Sequence, residues 1–308
     1  MWLRYDHRSH STEGPLYVNF LYNIAALVVQ RGVASNDQSG PEGSGKELLL
    51  SVLGELLLPN GGSAWTSTLV AVLAELGISD RNARQAIARL ADGGTLRNER
   101  LGRRARWHLT REAEEFLTKG AERIYGFGSD SDSWDAHWLM LMCSVPEDQR
   151  ADRPRLRSRL GFEGFGFLAP GVAICAHIDR EAAAARVLHD LGLLADAVLL
   201  RSEASPLSPD ATLIERAWDL ASLGDTYSEF IARFHQRRPT SDPQRCAAVV
   251  ELVHAWRRFP SIDPELPARL LPRRWQGHRA KDVFDDCRAR WTPGATRWFL
   301  KLEHEAAD

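Results

Sequence analysis

Cysteine is scarce in this 308-residue chain, and what there is lies scattered. Cys143, Cys175, Cys246 and Cys287 form no CxxC or CxxxC pair, so a zinc knuckle or a disulfide framework is not expected and a reducing cytoplasm is. Net charge is equally scarce. Thirty-nine basic and 41 acidic side chains leave −2, too little for a global pull towards nucleic acid or membrane. Any such affinity has to come from a local patch. Long apolar runs are missing too. Leu16 to Val29 is interrupted by Asn19, Tyr22 and Asn23, and it falls short of the roughly 20 apolar residues of a membrane span. Arg4, Arg8 and Gly32-Val33-Ala34 around it imitate a signal peptide only faintly. His7 and His10 lack further ligands, so neither a metal nor a cofactor is expected. At roughly 150 residues per domain, the length allows two or three domains.

Two nucleotide-binding patterns are incomplete. Gly40 to Lys46 fits the start of a phosphate loop, but Glu47 stands where a hydroxyl should hold magnesium. Gly164-Phe-Gly166-Phe-Leu-Ala169 fits a dinucleotide fingerprint, which must open a helix, yet Pro170-Gly171 follows at once. Ser35 to Gly45 is rich in Gly, Ser and Pro, so residues 1–45 are expected to form a poorly ordered extension and linker.

The informative stretch starts at Lys46. Glu47 to Leu58 places Leu49, Leu50, Leu53, Leu56 and Leu57 on one helical face. Thr66 or Ser67 can cap a second helix, with Leu69, Val72, Leu73 and Leu76 inward. Gly77-Ile78-Ser79 is a tight turn, and Ser79 caps a third helix from Asp80 to Asp92. Thr95–Arg100 and Ala105–Leu109 read as strands joined by a hairpin tip at Leu101-Gly102-Arg103-Arg104, and Thr110 caps a further helix. This order predicts a winged helix-turn-helix over residues 46–125. On the third helix, Ala83, Ala86, Ile87 and Leu90 share one stripe, and Arg81, Arg84, Gln85, Ala88 and Arg89 lie opposite. Arg bonds guanine and Gln bonds adenine in a major groove. The hairpin adds Arg103, Arg104 and Arg106. Ser79 to Arg106 holds eight Arg against three acids, a local +5 in a chain of −2. Arg81, Arg84, Gln85, Arg89, Arg103, Arg104 and Arg106 are the expected DNA contacts.

Further on, the pattern changes. His137–Val145, Phe165–Leu168, Val172–Ala176 and Ala197–Leu200 read as strands, with helices over Asp152–Leu160 and from Asp179 to Leu191. The order β-α-β-β-α-β predicts a ferredoxin-like domain over 133–205. Residues 207–308 read as helices: Ala211–Asp219, Asp225–Arg237, Pro243–Arg258 and Ala280–Arg290, punctuated by Pro260, Pro264, Pro267, Pro272 and Pro293. Trp218, Trp256, Trp275, Trp291 and Trp298 are expected as core or interface anchors. The run Trp256, Arg257, Arg258 with Arg273, Arg274, Trp275 reads first as a solvated face with two buried indoles. Its other reading is a seat for an acyl-CoA phosphate and adenine.

Several segments together resemble the PaaX-type repressors. These are Asn82 to Ala91, Leu101-Gly-Arg103-Arg104 with Trp107 to Thr110, Leu160 to Val172, Trp218-Asp-Leu, Tyr227 to Phe230, Asp263 to Pro267 and Leu270 to Trp275. The resemblance implies an α+β architecture of winged helix, Cas2-like ferredoxin domain and helical C-terminal domain. It also implies a homodimeric repressor of an aromatic-acid operon that leaves double-stranded operator DNA on binding phenylacetyl-CoA or another acyl-CoA. No residue pattern marks the effector pocket. Ala173 stands where the family tends to place Trp, which puts the identity of the effector in question. The alternative, a metal-dependent Cas2-like nuclease, needs an acid at the end of the first central strand. That position reads Ser144-Val145-Pro146. No enzyme is expected.

Overall fold

The computed structural model describes residues 42–128 and 134–308. The signal-like run, His7, His10 and the expected extension up to residue 41 lie outside the described residues. Helix α1 (Glu42–Val52) starts earlier than expected, so Glu42 to Lys46 are helical rather than linker or phosphate loop. Gly45 is buried, and its position faces the Ile78 side chain. The helix passes into a π turn at Leu53–Leu57 and a 3-10 turn at Leu58–Asn60. Gly61 and Gly62 then turn the chain at φ +91° and +67°, a region glycine enters freely.

Strand β1 (Ser63–Trp65) has three residues and no alternating pattern to announce it. It exists because β3 supplies an edge. Helix α2 (Thr66–Glu75) lacks the expected hydroxyl cap, and Trp65 is its N-cap residue. The Thr66 hydroxyl instead donates to the Ala105 carbonyl (3.0 Å) and accepts from Trp107 Nε1 (2.9 Å), tying the helix start to the hairpin. Helix α3 (Asp80–Asp92) matches its predicted bounds, with Ser79 Oγ accepting from the Asn82 N–H at 3.4 Å. Strands β2 (Leu96–Leu101) and β3 (Arg104–Leu109) form the hairpin, and the sheet runs β1-β3-β2. Thr110 caps α4 (Arg111–Gly126) through the Ala113 N–H.

The central segment comprises β4 (Trp138–Cys143), α5 (Arg153–Phe162), β5 (Gly166–Ala169), β6 (Val172–Cys175), α6 (Glu181–Asp190) and β7 (Ala197–Ser202). Its antiparallel sheet runs β5-β6-β4-β7, the ferredoxin-like order. The Gly164–Ala169 pattern leads into a strand, so it builds no dinucleotide turn. Asp179 does not cap α6: a 3-10 turn at Ile178–Arg180 precedes that helix, whose first turn has no side-chain cap. Leu139, Leu141, Leu156, Leu160, Ala173 and Leu188 form the core between sheet and helices.

The rest is helical: α7 (Asp210–Ala217), α8 (Leu220–Phe234), α9 (Asp242–Trp256), α10 (Phe259–Ile262) and α11 (Gly277–Ala307). Pro293 does not end a helix, as expected, but sits inside α11. The ring removes one backbone bond. Against that, Cys287, Trp291, Ala295 and Phe299 continue one buried face past it. At Gly294 a Cβ would lie within 2.8 Å of Arg245 and Asp242, so the bare backbone lets α9 approach.

One hydrophobic core joins the two ends of the chain. Leu49, Leu53, Leu69 and Ile87 belong to the same buried cluster as Phe234, Trp256, Phe284 and Phe299. Trp256 stacks on Phe284 at 4.7 Å, and its indole N–H donates to the Ile124 carbonyl at 3.0 Å. Beside it, the buried Glu55 carboxylate accepts from the Tyr125 hydroxyl (2.5 Å), Arg288 Nε (3.2 Å) and the Thr292 hydroxyl (3.1 Å).

Candidate nucleic-acid interface

Helix α3 separates its residues as the 100° spacing predicts. Ala83, Ala86, Ile87 and Leu90 are buried, and Arg81, Arg84, Gln85, Ala88 and Arg89 are exposed. The Ser79 cap and early Asp80 suit the helix start, where N–H groups and the helix dipole favour oxygen and negative charge. Arg84 bonds Asp80 through two nitrogens at 2.7 and 3.2 Å. Hydrogen bonding from Arg84 holds the Asp80 carboxyl below its ordinary value. The pair is solvent-exposed, so a phosphate or base edge could draw Arg84 away at little cost. Arg81, Gln85 and Arg89 make no side-chain hydrogen bond or ion pair among the described residues.

The hairpin tip places Arg103 beside Gly102, which has φ +64°. Both Arg103 and Arg104 are exposed, but Arg104 reaches the last turn of α11, 200 residues away in sequence. Its Nη1 donates to the Ala306 carbonyl at 2.5 Å and its Nη2 to the Asp308 carbonyl at 3.3 Å. Arg106 is half-buried, donates to Ser63 Oγ at 3.2 Å and lies 3.6 Å from Glu303. Both guanidiniums sit over the Trp65 ring, 5.6 and 5.4 Å from its centroid. Glu303 also accepts from the Trp65 backbone N–H at 2.9 Å. Trp65 and Glu303 were not singled out in the sequence. Nothing local links them, since one lies on a three-residue strand and the other near the end of α11.

At the end of β4, Ser144 follows Cys143 and Glu147 and Asp148 lie in an exposed 3-10 turn, so the strand carries no acid of its own at its end. The acid beside Cys143 is Asp196, from the turn that leads into β7. Among the described residues, no group of three or more His, Cys, Asp or Glu side chains could hold a metal ion. The basic and aromatic run is split: Trp256 and Arg257 lie inside, whereas Arg273 and Arg274 are exposed. Among the described residues, no helix is long and apolar enough to cross a membrane.

Comparison with known proteins covers most of the chain. Residues 44–113 match the PaaX-like protein model, 131–214 the PaaX protein central Cas2-like domain, and 218–301 the PaaX-like protein C-terminal domain. The transcriptional repressor PaaX of Escherichia coli is 29% identical over 264 residues, which is 82% of this chain and 82% of that protein. Among solved structures, the uncharacterized protein Rv0674 from Mycobacterium tuberculosis shares the fold. It has a TM-score of 0.56 at 22% identity, with 80% of this chain and 97% of that one covered. With all three models matching in order along the chain, the protein belongs to the PaaX family.

Proposed function

We propose that this protein is a DNA-binding transcriptional repressor controlled by a small effector. In this reading, residues 46–125 form a winged helix-turn-helix, 133–205 the Cas2-like domain and 207–308 a helical domain. Helix α3 enters the major groove with Arg81, Arg84, Gln85 and Arg89, and the hairpin brings Arg103, Arg104 and Arg106 to the backbone or minor groove. The observation that carries it is the α3 face: an exposed Arg/Gln surface opposite a buried apolar one, capped at Ser79 and followed by a basic hairpin. The name of the Escherichia coli relative supports the same reading. The protein works as a cytoplasmic homodimer on operator DNA of an aromatic-acid operon, and phenylacetyl-CoA or a related acyl-CoA releases it. Arg104 and Arg106 exchange their α11 partners for phosphate when DNA binds.

The test is a salt titration of binding to operator and to random DNA. Arg103→Ala with Arg104→Ala should weaken both and shallow the salt slope by about one to two units. Gln85→Ala should cost about 1–3 kcal/mol on the operator and little on random DNA. Unchanged affinity in both variants sinks the interface.

A further inference from the structure

A small cavity lies where α1, α4, and the ends of α5 and α9 meet, with a volume of about 80 Å³. At about 10–15 Å³ per water-sized sphere, that is roughly five to eight spheres, the room for one ring or a short branched chain. Leu50, Phe116, Leu117, Phe162, Val253 and Pro260 give it apolar walls.

Several features that weaken a fold in isolation converge on this one spot. The π turn at Leu53–Leu57 contributes Gly54 and Glu55 to the wall. Such turns are rare and gather at functional sites. Gly120 stands inside α4, where glycine is less favourable than alanine, yet a Cβ there would meet nothing within 4 Å. Packing therefore does not require glycine. Its missing side chain is what keeps the space open. Arg257, also in the lining, is only 12% exposed, and its Glu47 partner is 3.8 Å away. Burial pushes the Arg257 pKa down. Arg123 supplies a second guanidinium, lying 3.9 Å over the Phe162 ring and donating to the Phe162 and Pro260 carbonyls at 2.9 Å. The carboxylate in the wall, Glu55, is already engaged by Tyr125, Arg288 and Thr292. An entering group thus meets apolar walls and an excess of positive charge. Consistency across levels fails in a sequence mainly where function demands it.

We propose that this cavity binds a small apolar carboxylate, with a single ring or a short branched chain among the apolar side chains and its carboxylate at Arg257. Its walls include α1, which packs on α3, and α4, which follows the hairpin, so an occupant bears directly on the helices around the α3 face. That regulatory consequence rests on the repressor reading. The binding itself does not.

The test is calorimetric titration of the full chain with benzoate and isovalerate, and with benzamide and isovaleramide as neutral counterparts. Each carboxylate should bind saturably, at least tenfold tighter than its amide, and raise the melting temperature. Gly120→Leu should weaken both carboxylates at least tenfold while leaving the melting temperature of the free protein unchanged or higher. Gly120→Ala should weaken them less, and it serves if the larger residue disturbs folding. Arg257→Gln should erase the preference for carboxylate over amide. Equal binding of acid and amide, unchanged binding by both Gly120 variants, or no saturable binding of any probe overturns the proposal. Operator binding by the ligand-free protein, measured separately by anisotropy, reports on the repressor reading alone.

Discussion

Leu160 and Trp256 are both fully buried, but their neighbours come from different distances along the chain. The core around Leu160 is drawn from Leu139 to Leu193, one continuous segment. The core around Trp256 runs from Leu49 to Phe299 and closes only when the first helices meet the last. The first is a unit in sequence and in space. The second is a unit in space alone, and its stability is shared between the segment carrying the α3 face and helices more than a hundred residues away.

The sharpest way to break this comparison is to remove one anchor from each core. Trp256→Ala should destabilise by about 3–5 kcal/mol and lower amide protection in α2 and α3. Leu160→Ala, at about 2–5 kcal/mol, should lower protection in β4, β6 and α6 and spare α3. Hydrogen exchange of both variants checks this. Equal loss in α3 from the two would mean that the cores act as one.

A smaller effect comes from pH. His254 lies in the shared region, with Nδ1 3.3 Å from Ser51 Oγ. Burial, aided by Arg257 and Arg233, pushes its pKa down from 6.5 to about 4. The unfolded chain therefore binds the proton first as pH falls. The stabilisation is complete above about pH 6.5 and is lost progressively towards pH 4, on the order of 1–2 kcal/mol by pH 5. Urea midpoints across this range should fall in the wild type and flatten in His254→Asn. An equally steep fall in the variant would assign the acid limb to other groups.

The smallest concerns a local contact. Ser79→Ala removes the α3 cap and should cost about 0.5–1 kcal/mol, near the low end for caps, because the bond is long at 3.4 Å. Thermal melts of the two proteins settle it. A loss as large as that of Trp256→Ala would mean that α3 depends on its cap more than on the shared core.

Legibility followed the same division. Helix α3 was readable to the residue, because a cap, a terminating Gly93-Gly94 and a buried stripe all lie within its own sequence. The central strands and helices were readable within a few residues for a similar reason. Strand β1 was not, since three residues carry no period and need β3 beside them. The passage of α11 through Pro293 was missed because proline is a local stop, and what overrides it is packing against α9 through Gly294. At the candidate interface, the exposed side chains of α3 followed from spacing alone. The hold of Glu303 and Ala306 on Arg106 and Arg104 did not, because the pairs are brought together only by the folded shared core.

That shared core also imposes an order of events during synthesis. Leu49, Leu69 and Ile87 leave the ribosome well before Phe284 and Phe299, which complete their burial. At about 5–20 residues per second, the early helices wait roughly 10–40 s with an apolar face uncovered. The face of the central sheet whose core lies within Leu139–Leu193 can close during that wait, whereas its other face sets Trp138 and Ile174 against Leu213, Ile214 and Leu266, which follow later. The nascent chain is thus partly folded in its middle before either end is finished, and its first helices are the part that most needs a chaperone's cover.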